Sequence, residues 1–251
     1  MPTPLEILLD PLSLILLSIY LVLIILEAIS PGQQLKKVKG WIPKSLFVFV
    51  IYFYISTYLP LIWDKYLLPY QVINLEHVNI YISTTVAILL FELMIYVWHR
   101  TMHNNAVLWR TFHQMHHSAE RLDSFGAFYF SPLDMIGFTL IGSLTLSVGI
   151  GIAPQAITWF LYITMFLAIF QHINIKTPQW LGYIIQRPES HSVHHQKGVH
   201  RYNYSDLPIF DIIFGTFQNP KNFSHEIGFY DGCSSRVKDV LLFKDISKIE
   251  S

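Results

Sequence analysis

Histidine is the residue type through which this sequence can do chemistry: there are 12 in 251 residues, and ten of them fall between positions 99 and 200. His99 and His103 stand four apart. His113, His116 and His117 follow as HxxHH, His172 is alone, and His191, His194 and His195 repeat HxxHH. On a helix, positions i, i+3 and i+4 lie on one face about a turn apart, so each cluster aims two or three imidazoles in one direction. That is metal-ligand spacing. A mononuclear site takes roughly three or four protein ligands, so nine imidazoles suit two neighbouring metals, and the spacing predicts a dinuclear site. The one cysteine, Cys233, can form neither an internal disulfide nor a thiolate cage, which leaves nitrogen and oxygen donors. Imidazole serves zinc, copper, iron and nickel alike, so the ligand set leaves the metal open. His77 and His225 stand apart from the clusters and read as polar or packing residues.

Something must hold these clusters in place, and the composition points to a membrane. Hydrophobic residues make up 52% and charged residues 14%, against about 25% charged in ordinary soluble domains. The formal net charge is +0, which gives no sign of a nucleic-acid binder. Crossing a hydrocarbon core about 30 Å thick takes roughly 20 apolar residues in helix. Five stretches approach that length: 7–29, 44–63, 78–98, 135–153 and 156–175, the last two forming a hairpin about Pro154 and Gln155. The first has no basic residue ahead of it and no small-residue cleavage site, so it is expected to be an anchor and not a signal peptide.

The predicted fold class is therefore an all-α integral membrane protein. It has about four to five transmembrane helices and a helical cap that carries the histidines. Counting crossings places all ten clustered histidines on one face. Sixteen of the 17 Lys and Arg share that face, with Lys65 alone opposite. The positive-inside rule makes it cytoplasmic and puts the N-terminus on the other side. Three regions are expected: membrane anchor helices over 1–75, a histidine-bearing catalytic domain over 76–220, and a cytoplasmic tail over 221–251.

The stretch from Glu92 to Pro132, with HRTMH, WRTFHQMHHS and ERLD, and that from Arg187 to Phe217, with RPESHSVHH, NYSDLP and FDIIFGTF, resemble the fatty acid hydroxylase/sterol desaturase superfamily, nearest its bacterial sterol-desaturase-like branch. The likeness covers roughly residues 80 to 220. Order, spacing and flanking residues match together. One departure is Ser205, where many relatives have glycine. The resemblance implies a membrane-embedded di-iron oxygenase that uses O2 and two electrons to hydroxylate or desaturate a fatty-acyl, sterol or other lipid. Breaking an unactivated C–H bond needs a redox metal, and zinc has no redox chemistry, so iron is the expected metal. The nine expected ligands of two irons are His99, His103, His113, His116, His117, His172, His191, His194 and His195. Some relatives place a second ligand near the lone histidine. Here its helical neighbours Ala168 and Lys176 cannot serve.

Further residues carry alternatives. The intramembrane acid Glu92 lies seven residues before His99 on the same stripe, and it can pair with an arginine, bond an inner histidine or tie another helix. Glu189, Asp123, Asp206 and Asp211 are placed to orient imidazoles; Asp206 and Asp211 can equally cap the following segment. His200 reads as a further ligand, a substrate contact or a surface residue, and Asn174 and Asn203 as groups for a metal-bound water. The aromatic run from Phe125 to Phe130 serves either as an interface anchor or as the lining of a lipid entry. No flavin or nicotinamide fingerprint is present, so electrons must come from a partner such as ferredoxin or a cytochrome b5 type protein. The rival readings are a metal transporter or binding protein, and a membrane zinc hydrolase. A transporter expects ligands near the midplane, and the hydrolase expects an HExxH motif that this sequence lacks.

Overall fold

A computed structural model describes residues 1–248. Asp10 and Pro11 divide the first apolar stretch in two. Helix α1 (Pro4–Leu9) opens on a Thr3–Glu6 capping box. Asp10 then ends it in extended conformation and caps α2 (Pro11–Ile29), accepting from the Leu12 N–H at 2.9 Å. The single anchor expected over 7–29 is thus a short helix followed by a spanning one, because a proline at the first helical position starts a new helix more readily than it continues an old one.

Helix α3 (Trp41–Leu67) runs past the expected stretch at both ends and carries Pro60 in its interior. A two-residue strand β1 (Ile73–Asn74) follows. Helix α4 (Ile80–Asn104) starts on the side chain of Asn79, which accepts from Tyr81 N–H. Its 25 residues reach about 37 Å at 1.5 Å each, more than a core about 30 Å thick needs. The surplus turns carry His99 and His103 beyond the apolar layer.

The expected hairpin differs in detail. After the short helices α5 (Ala106–Leu108) and α6 (Gln114–His117), joined by a π turn over Trp109–His113, Ser131 caps α7 (Pro132–Ser143). The chain widens into π geometry over Leu144–Gly149 and then extends as β2 (Ile150–Gly151), which pairs in parallel with β1. Pro154 is not in the turn. It is the first residue of α8 (Pro154–Phe170), so the reversal is made by the extended residues before it, and His172 lies just past the helix end. Among the described residues four helical segments are long and apolar enough to cross a membrane, Pro11–Ile29, Trp41–Tyr70, Ile80–Asn104 and Pro132–Gly149, while α8 is shorter.

The two ends of the bundle are unlike. One end holds β1, β2 and the N-terminus, tied to α3 by the Tyr54 and Tyr58 hydroxyls, which donate to the Pro4 and Pro2 carbonyls. The other holds the histidines with α9 (Pro188–His194), α10 (Pro208–Ile213) and α11 (Val237–Leu241). Of the segment read from sequence as a tail, residues 221–248 fold back onto that end, and 249–251 lie outside the described residues. Lys44 and Tyr129 donate to the Ser234 carbonyl at 2.6 and 2.7 Å, Gln114 donates to the Lys244 carbonyl at 2.7 Å, and Ile246 is fully buried. The larger apolar core, around Tyr20, Phe49, Met115, Phe128 and Ile169, adjoins the histidines. A smaller one around Ala87, Ile150 and Phe160 closes the opposite end.

Candidate metal centre

Nine histidines meet in two groups. His99, His103, His113, His117 and His194 form one; His116, His172, His191 and His195 form the other, and in each group the ring nitrogens lie within 4.8 Å of one another. Each HxxHH cluster divides between them. His113 and His117 go one way and His116 the other; His191 and His195 go one way and His194 the other. Helix geometry accounts for this. Residues four apart are offset by about 40° around the axis on one side and residues three apart by about 60° on the other, so each i, i+4 pair shares a direction and the third member diverges. Each HxxHH cluster thus aims in two directions, not in the single one that its spacing suggests. The π turn over Trp109–His113 widens the backbone just ahead of α6 and sets the direction from which His113 enters.

In the first group the outer nitrogens fix the inner ones. The Nδ1 atoms of His99, His103 and His194 lie 2.7 Å from the carbonyls of Tyr204, His200 and Tyr202. A carbonyl only accepts, so Nδ1 carries the proton and Nε2 presents a lone pair. The Nε2 atoms of all five members are buried with no hydrogen-bond partner. In the second group His172 donates from Nδ1 to the Ala168 carbonyl at 2.7 Å, and four Nε2 atoms converge: His172 to His116 and His191 at 3.1 Å, and His191 to His195 at 3.2 Å. Two nitrogens bound at right angles about 2.1 Å from one ion stand roughly 3.0 Å apart, close to this spacing. Buried lone pairs facing one another are costly without a cation between them. The donor sets therefore fit two metal ions.

Burial also keeps these rings neutral. It pushes the imidazoles of His113, His116, His117, His191, His194 and His195 well below the usual value, helped by repulsion among neighbouring rings, and pushes His172 down to about 4. Because the folded values are depressed, the stabilisation is fully present above pH about 6.5 and is lost as pH falls through that value toward about 4. Metal-stripped protein is expected to unfold at lower temperature at pH 5 than at pH 7.5; an unchanged or higher midpoint at pH 5 would contradict this.

The groups that orient the rings are mostly backbone. Of the four acids expected to do so, none touches a histidine. Glu189 accepts from Thr177 and pairs with Arg187, Asp123 accepts from Trp41 and Gly126, Asp206 accepts from Gln171, and Asp211 accepts from the Tyr204 and Ser205 amides. Asp211 still acts at one remove, since it holds the residue whose carbonyl faces His99. The acid in contact is Asp134, in the first turn of α7, 2.7 Å from His113 Nδ1 with both side chains buried. The sequence signal for it is slight: an acid three residues after the Ser131 cap reads as ordinary helix-start chemistry. Losing such a partner typically costs 10–100-fold in metal affinity or activity. Asp134→Asn is expected to lose metal by that factor in a chelator competition, and retention equal to the parent protein would refute the assignment.

His200 stands outside both groups. Its carbonyl faces His103 and its ring Nδ1 lies 3.1 Å from His117 Nδ1, so it supports two members of the first group. The loop that supplies these carbonyls is strained: His200, Tyr202 and Asn203 all have positive φ, at 42°, 71° and 50°, in a region costly for residues with a Cβ. Asn203 holds that loop through the Ser190 and Gln218 carbonyls and the Gln218 amide, and Asn174 bridges to Gln33. Both asparagines are committed to backbone. Glu92 ties α4 to the same loop, accepting through Oε2 from the Ser205 hydroxyl and the amides of Asp206 and Leu207.

A cavity of about 980 Å³ reaches the centre, near the top of the roughly 300–1,000 Å³ range of ligand sites. His99 and His113 of the first group and His116, His172 and His191 of the second line it. Phe128, Phe130 and Phe138 form its wall nearby, so the aromatic run lines the cavity and packs in the core. From there it follows one stripe of α3 (Phe49, Phe53, Ser56, Pro60 and Asp64), and Leu68 just past its end, to the opposite end of the bundle.

A family model described as fatty acid hydroxylase matches residues 84–216, just over half of the chain. The chain is 30% identical over 142 residues to an ornithine lipid hydroxylase of Rhizobium tropici, covering 55% of this chain and 42% of that one. It is 27% identical over 135 residues to sphinganine C4-monooxygenase 1 of Arabidopsis thaliana, covering 52% of each. With cholesterol 25-hydroxylase of Mus musculus it shares 24% over 187 residues, 70% of this chain and 59% of the other. The chain spans about half the length of the curated relatives it matches. No solved structure matches significantly.

Proposed function

This chain belongs to the fatty acid hydroxylase family, and from that premise we propose that it is a di-iron oxygenase inserting one oxygen atom of O2 into a C–H bond of a membrane lipid. The balance is C–H plus O2, two electrons and two protons to C–OH and water. The observation that carries the reading is the junction of a long, mostly apolar cavity with both groups of converging imidazoles.

His99, His103, His113, His117 and His194 would hold one iron and His116, His172, His191 and His195 the other. Bound there, the pair supplies O2 activation and oxidising power that no side chain has. The protein does the rest. The carbonyls of Tyr204, His200, Tyr202 and Ala168 keep each Nε2 free, Asp134 strengthens His113 as a donor, and burial excludes the water that would intercept a reactive species. Phe128, Phe130 and Phe138 line the cavity and would hold a chain against the edges of the histidines that face it. The two electrons come from an external carrier of the ferredoxin or cytochrome b5 type. The Lys and Arg gathered at the histidine end support a centre on the cytoplasmic face, where such a carrier docks.

Purified protein given a reduced ferredoxin, bilayer lipids and isotopically heavy O2 is expected to form a lipid carrying one heavy oxygen. Label derived from water, or no lipid-dependent O2 consumption, would count against the reading.

A further inference from the structure

Beside the histidines the cavity wall carries one polar pair that the reaction itself leaves unused. Gln171, just before His172, is 6% exposed and lines the cavity with Asp206. Its Nε2 donates to Asp206 Oδ1 at 2.6 Å. That bond fixes the orientation of the amide, because a carboxylate oxygen beside it selects the NH2 group. The amide oxygen Oε1 is left buried without a donor. Buried acceptors are nearly always paired, and one left open toward a cavity marks where a ligand's donor belongs.

We propose that Gln171 and Asp206 form a polar subsite for a hydrogen-bond donor, a hydroxyl or amide N–H, on the substrate next to the carbon to be oxidised. The substrate chain then runs the other way, along α3. The cavity-lining stripe from Phe49 to Leu68 covers 19 residue steps, about 28 Å at 1.5 Å each, so a long chain fits with its polar end at the histidines and its far end toward the opposite mouth. Gln171 sets the required chemistry: an ether, ketone or plain hydrocarbon offers its oxygen lone pairs or nothing, and leaves Oε1 as it was. A site built around a buried acceptor rejects such analogues strongly. The subsite rests on the reading of the histidines as the oxidation centre, since that is what makes the adjacent carbon the reacting one.

The test reads binding and needs no turnover. Full-length protein in lipid nanodiscs is labelled with a long-chain alcohol carrying a diazirine near its hydroxyl, in competition with an unlabelled alcohol, its methyl ether and the alkane of equal length. The alcohol is expected to compete at least about tenfold better than the ether, with label on the wall around Phe130 and Ala168. Gln171→Leu and Asp206→Ala should each remove that preference, and Gln171→Glu, which keeps an acceptor oxygen, should retain it. Equal competition by alcohol and ether, no competition by either, a preference that survives Gln171→Leu, or label near Asp64 and Leu68 would overturn the proposal. A clear alcohol preference in protein that shows no O2-dependent turnover would instead leave Gln171 and Asp206 as a donor-binding pair, and would remove the oxygenase reading together with the claim that the adjacent carbon is oxidised.

Discussion

Replacing His194 by Ala is expected to lower turnover by at least about a hundredfold and to reduce bound metal, because loss of a direct ligand should exceed the 10–100-fold effect of losing a ligand's partner. His194 is the member of its cluster that crosses to the first group. Its ring lies 4.5 Å from that of His99 and 4.6 Å from that of His117, measured between centroids. Alanine leaves four imidazoles in that group and frees the Tyr202 carbonyl. His116→Ala should act alike on the second group, whereas His225→Ala should change neither activity nor metal. Full turnover with full metal in His194→Ala would remove the two-group account.

The second large effect is expected at Glu92, which is fully buried in α4. Glu92→Leu leaves the Asp206 and Leu207 amides without their acceptor, while the Ser205 hydroxyl keeps the Glu92 backbone carbonyl at 3.3 Å. An orphaned buried donor costs about 1–3 kcal/mol, and a loss of about 2–4 kcal/mol in total is expected once the loop relaxes. Because the same loop presents the Tyr204 carbonyl to His99, metal retention should fall as well. Glu92→Gln keeps one acceptor oxygen and should lose less. The checks are the unfolding midpoint and metal content of each variant; a Glu92→Leu protein as stable and as metal-rich as the parent would contradict the tie.

The gathering of the nine histidines is legible in the sequence, because nitrogen donors at helical spacing are a local signal. The membrane architecture is legible for the same reason: apolar runs report on their own burial. What orients the imidazoles is not. A backbone carbonyl carries no sequence signature, so the roles of Tyr202, Tyr204, His200 and Ala168 emerge only from the fold. Nearness in sequence points to the wrong acids, because the contacts form across the fold: Asp134 reaches His113 from 21 positions away, while Glu189 is taken up by Thr177 and Arg187. For Glu92 the sequence leaves an arginine, an inner histidine or another helix as partner, and the structure gives a different one, the loop Ser205–Leu207 ahead of α10. The hairpin falls near the expected Pro154 but turns before it, since the pairing of Ile150 with Ile73 is a contact between segments far apart in the chain.

Metal content per chain of the detergent-purified protein, read together with Mössbauer spectra after growth on iron-57, tests the central claim most directly. The account predicts about two irons per chain with the spectrum of a coupled pair. A single tightly held zinc, or no metal in protein that is folded, would contradict it.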